Sequence, residues 1–121
     1  MAKKKDKTNG IWSSKVGRDC VSLDTSLCRW LGKRLTHLAT HTTSVPYHFT
    51  EQANIRVHPD MTQDHETWLH LWRHEMMHAG VALTIYVERI YEVEGAEAET
   101  IITHAQGALV WVAKWLPNLW D

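Results

Sequence analysis

Two cysteines, Cys20 and Cys28, are all that the 121-residue chain carries, and their spacing matches no metal or redox motif. They read as reduced, partly buried thiols, so a small disulfide-stapled scaffold is not the expected architecture. No apolar run approaches the roughly 18–20 residues that a bilayer crossing needs, and no membrane partner is expected. No apolar signal core follows the basic start Met1-Ala2-Lys3-Lys4-Lys5-Asp6-Lys7, which makes the cytoplasm the expected location. A charge imbalance is missing too: the formal net charge is −1, which gives no general reason to expect a nucleic-acid partner. The lysines at the start read as a disordered, solubilising tail over residues 1–10 that ends at the turn signal Asn9-Gly10.

What remains fits one domain over 11–121, with 44% hydrophobic and 22% charged residues, the balance of a globular chain rather than a disordered one. Nine histidines and seven tryptophans stand out, and five of the histidines fall between His58 and His78.

Periodicity organises the rest. Asp24-Thr25 offers an N-cap ahead of Leu27, Trp30, Leu31, Leu35 and Leu38, which share one face of a helix over about 25–39. Lys33 and Arg34 fall off that stripe. After a polar linker, Val45–Phe49 and Asn54–Val57 are short β-prone runs, read as paired strands with Pro46 at an edge. Thr62 or Asp64 then caps a long helix with Glu66 in its first turn, which runs through Trp68 and Trp72 and stops near Gly80. Val81–Val93 suits a strand by composition and a helix by the spacing of Leu83, Val87 and Ile90. Gly95 interrupts it. A last helix follows over about 96–115, with Ile101, Ala105, Ala108, Leu109, Val112 and Leu116 as its apolar stripe, and Pro117 ends it. The expected fold class is α+β: a short sheet or hairpin packed on two helices.

Chemistry concentrates at His74-Glu75-Met76-Met77-His78. Residues four apart on a helix lie one turn above each other, so both imidazoles can approach one Zn²⁺ from a single rigid element. Glu75 projects beside such an ion, where a carboxylate can take a proton from bound water and later pass it to a leaving amine. Eighteen residues separate His78 from Glu97. His-Glu-x-x-His-x18-Glu resembles the gluzincin peptidases, and residues 54–116 look like the minimal metallopeptidase domains of phage and bacterial proteins. The resemblance implies a zinc-dependent peptidase fold with His74, His78 and Glu97 as ligands, Glu75 as base and a peptide or protein as substrate.

Glu94 and Glu99 are close rivals to Glu97 as third ligand. His70 extends a His70, His74, His78 ladder and could supply a fourth, closing ligand, although a helix-surface role is the commoner one. His104, on the second helix, could donate to a substrate carbonyl or make an ordinary interhelical hydrogen bond. Trp68, Trp72, Trp111 and Trp115 form pairs four apart, which suits a core or a homodimer interface more than a substrate platform. The alternative to an enzyme is a non-enzymatic zinc-binding structural or interaction module.

Overall fold

A computed structural model describes residues 10–50 and 64–120. Its elements are α1 (Gly10–Ser13), α2 (Lys15–Val21), α3 (Leu23–His41), α4 (His65–Arg89) and α5 (Gly95–Trp115). One helical turn covers 47–50, and 3₁₀ turns follow α4 (Ile90–Glu92) and α5 (Leu116–Asn118). Helix takes up 88% of the described residues and no strand occurs among them, so the α+β expectation is corrected to a helical bundle. None of the described helices is long and apolar enough to cross a membrane.

The departures from the expected elements have causes in the packing. The β-prone run Val45–Phe49 is not a strand: the Pro46 carbonyl accepts from the amides of Phe49 (3.1 Å) and Thr50 (3.4 Å) and starts a helical turn. That turn drives Phe49 into the interior, where it is fully buried against Trp72 and Trp115 at ring-centroid distances of 5.1 and 5.7 Å. Packing of one aromatic ring outweighs the weak β preference of the run. The proposed partner strand, Asn54–Val57, lies outside the described residues. In α4 the N-cap is Asp64, whose carboxylate accepts from the Thr67 amide at 2.9 Å. The helix then passes through Gly80 instead of stopping there, and carries Val81 to Arg89 with it.

Gly80 is a crossing point. A Cβ placed on it would lie 2.7 Å from Thr36 Cγ2 and 3.1 Å from the Gly32 carbonyl oxygen. The contact is reciprocal, since a Cβ on Gly32 would lie 3.1 Å from Thr84 Oγ1 and 3.2 Å from the Gly80 carbonyl oxygen. Each threonine donates back to the glycine of its own helix, Thr36 to Gly32 O at 3.1 Å and Thr84 to Gly80 O at 3.0 Å. Two Gly-x-x-x-Thr segments therefore mesh, and α3 and α4 approach as closely as their backbones permit. Gly95 is glycine for another reason: its φ of 64° opens α5 in a left-handed conformation that side chains with a Cβ disfavour.

Away from the crossing, the core is aromatic. Trp72 and Trp115 are buried, and the Trp72 ring packs 5.3 Å from Trp111 and 5.4 Å from Trp115. The tryptophan spacing thus serves α4–α5 packing. Two polar ties add to it. Arg73 donates through Nε to the Thr42 carbonyl at 2.8 Å, at the C-terminal end of α3 where a cation is favoured. Tyr86 donates to Asp24 Oδ2 at 2.6 Å, joining α4 to the start of α3, and Tyr91 donates to the same oxygen at 3.3 Å. The Tyr86 bond lowers the Asp24 pKa, and the same bond, with burial and the nearby charge, pushes Tyr86 up to about 12.

Two outcomes follow from this packing. Gly80→Ala should lower unfolding stability by about 1–3 kcal/mol, the usual size of an overpacking penalty. Gly107→Ala, whose Cβ would meet nothing within 4 Å, should be neutral or stabilising by up to about 1 kcal/mol, and urea unfolding of both variants measures the contrast. The tyrosine bond contributes stability that is complete below pH 10 and is lost as pH rises through about 12. At the acid end the Asp24 contribution is present above pH 3.8 and is lost as pH falls further, through its lowered pKa. An ultraviolet titration should therefore show Tyr86 ionising near pH 12 and moving back towards 10 in Asp24→Asn.

Candidate functional site

The inward residues of α4, Trp72, Met76, Ala79 and Leu83, are buried, which turns positions 74 and 78 outward. His74 and His78 are both exposed. Their rings lie nearly parallel, 10° apart, with centroids separated by 6.4 Å, and neither makes a hydrogen bond among the described residues. Met76 is buried and Met77 packs against the core, seating the helix.

Glu75, half-buried between these faces, points towards α5. Trp111 Nε1 donates to its Oε1 at 2.9 Å. Beside this bond a groove of about 390 Å³ runs between α4 and α5, with Glu75, His78, Ile85, His104, Gly107 and Trp111 among its lining residues. Small residues at Ala79, Ala82 and Ala108 keep it open. The groove is mostly apolar with a few polar groups converging on it, a common form of ligand site.

Glu97 is not brought to this place. Its carboxylate accepts from the Arg89 guanidinium in an ion pair exposed on both sides. Arg89 ends α4, eleven residues and so about 16 Å of helix beyond His78. Glu94 is exposed at the N-cap of α5 and makes no side-chain cap bond. Glu99 lies nearer the groove, sharing a shallow depression with Thr103 and His104. His70 is exposed. Among the described residues, no three His, Cys, Asp or Glu side chains come together closely enough to hold a metal ion.

The donor set implied by the resemblance therefore divides. The His74 and His78 imidazoles fit a two-point chelate: they are one turn apart, exposed and, among the described residues, without competing hydrogen bonds. The Glu97 carboxylate does not fit as their companion.

No known protein family, characterised protein or solved structure gives a significant match to this chain. The site must be read from its own geometry.

That geometry explains why the residues paired by the spacing argument lie apart. With α4 extending to Arg89, the chain reverses around Glu92. The positions opposite His78 then lie around 104–108, and Glu97 stays at the hairpin end. His104 and Trp111 are the groove residues that the x18 count passes over. The indole donor to Glu75 has no sequence signal beyond the apolar stripe of α5. The Trp111–Glu75 hydrogen bond should appear in a double-mutant cycle of Trp111→Phe and Glu75→Ala as a coupling of about 1 kcal/mol in unfolding stability; additive effects would show that the two side chains act independently.

Proposed function

We propose that this chain is a zinc-binding domain that hydrolyses peptide bonds, with His74 and His78 holding the ion and Glu75 moving the proton. The observation that carries the proposal is the outward His74–His78 pair one turn apart on α4, with an indole-anchored carboxylate between them in sequence. When bound, zinc brings the pKa of a coordinated water near neutrality and polarises a carbonyl. Glu75 is the group positioned to accept a proton from the attacking water and return it to the leaving amine. The Trp111 donor restrains the carboxylate's orientation, so the proton acceptor does not have to be positioned afresh in each turnover. The groove beside it has room for a short extended stretch of substrate, with Ile85 and Ala82 as apolar walls and His104 on the opposite side. Glu97 stays outside this scheme because it lies beside Arg89 at the far end of α4, about 16 Å of helix beyond His78.

One observation favours a second reading. With two ligands in place and no third among the described residues, the ion could be held for structure or for contact with a partner that completes its coordination. Metal analysis and activity on the full chain separate the two. The hydrolytic proposal expects about one Zn²⁺ per chain, as in other single catalytic sites. It also expects His74→Ala and His78→Ala each to weaken zinc binding at least about tenfold, and Glu75→Gln to keep the metal while losing cleavage of an unfolded protein substrate. Zinc bound without any cleavage by the parent protein would select the structural reading, and failure to bind zinc would reject both.

A further inference from the structure

The net charge of −1 hides a division within the chain. Residues 1–41 hold nine Lys and Arg against three Asp and Glu, a net of +6. Residues 42–121 hold four against eleven, a net of −7, and the two add to the −1 of the whole. The positive side has a defined surface. Between α2 and α3 lies a second groove, of about 380 Å³, lined by Lys15, Arg29, Lys33 and Arg34 around Leu27 and Trp30. Asp19, also in the lining, is engaged by Lys15 at 3.5 Å.

Trp30 lies on the side of α3 opposite its buried residues and is 56% exposed, a large indole left to solvent in a chain that buries Trp72 and Trp115 almost completely. The Arg34 guanidinium lies over its ring, 4.2 Å from the centroid. A hydrogen bond from Arg34 Nη1 to the Trp30 carbonyl at 3.1 Å holds it there. A flat aromatic surface, a stacked guanidinium and further cations along one groove are what a flexible polyanion with planar rings requires: phosphates meet the cations and a base extends the stack.

We infer that the α2–α3 groove is a binding site for single-stranded nucleic acid, with Trp30 as the stacking platform and Lys15, Arg29, Lys33 and Arg34 as phosphate contacts. This site is separate from the α4–α5 groove and does not depend on the hydrolytic reading. A strand is favoured over an anionic bilayer because the apolar and aromatic atoms line a concave surface, which a chain can enter and a flat membrane cannot follow. The acidic α4–α5 hairpin repels the same ligand and so orients its approach to the basic side.

The test is fluorescence anisotropy of the full-length protein with a labelled oligothymidylate of about 20 nucleotides in about 50 mM salt. Binding is expected to weaken with salt along a log–log slope of roughly −2 to −3, the value for three to four phosphate contacts on a single strand. Trp30→Ala, at an exposed position, should weaken binding roughly 5- to 150-fold. The charge reversal Lys33→Glu/Arg34→Glu should weaken it at least about tenfold, and circular dichroism should show both variants folded. Absence of binding by the parent protein overturns the inference. So does an unchanged affinity in folded Trp30→Ala, equal affinity for duplex DNA of the same length, or preferential binding to phosphatidylserine–phosphatidylcholine vesicles.

Discussion

The close approach of α3 and α4 at Gly32 and Gly80 is the constraint from which the rest of the arrangement follows. Two glycines remove the side chains that would hold the helices apart, and two threonines, each one turn later, fill the space on either side. With the backbones this near, small changes in crossing angle become steric collisions, so the helices have one way to fit. The angle fixes which face of α4 is turned inward. Trp72, Met76 and Leu83 take that face, and His74 and His78 are left on the outside.

Much of this was legible beforehand, and the reasons differ from element to element. The α3 and α5 helices follow from apolar positions recurring every three to four residues, and their observed limits, Leu23–His41 and Gly95–Trp115, lie within two residues of the predicted ones. The expected α3 stripe is corrected: Leu27 and Trp30 are exposed, and Thr25, Cys28 and Gly32 are buried with Leu35. The tryptophan pairs four apart indicated packing, and Trp72 and Trp115 are buried in it. Gly80 misled because a glycine after a histidine-rich turn carries the same local signal whether it ends a helix or lets another helix cross. The difference lies in residues 32 and 36, more than forty positions away, and no local pattern contains it. The same helix continuation bears on the site. A helix stopping at Gly80 would leave a loop free to bring Glu97 back, whereas a helix continuing to Arg89 holds Glu97 at the bend. Val45–Phe49 misled for a complementary reason, because its conformation is decided by the cavity that Phe49 fills.

The molecule places its chemistry on two separate helix pairs with opposite charge. The α4–α5 pair holds the histidines, an indole-anchored carboxylate and an excess of acid; the α2–α3 pair holds an exposed indole among cations. Between the two pairs, α3 meets α4 at the glycine–threonine crossing and through the Arg73–Thr42 and Tyr86–Asp24 hydrogen bonds, and α4 meets α5 through tryptophan. Neither site lends a side chain to the other, so each can be altered without dismantling its neighbour, provided the crossing is kept.

Arg73 and Gly80 have a joint consequence. The first fastens α4 to the end of α3 through the Thr42 carbonyl, and the second locks it at the crossing. His74-Glu75-Met76-Met77-His78 occupies the interval between them. Sliding or rolling of α4 would break the Arg73–Thr42 bond and force a collision at the Gly80 crossing, so this stretch of helix is anchored on both sides. The direction in which the two imidazoles face is thereby set by the mounting of the helix, while their spacing follows from its pitch.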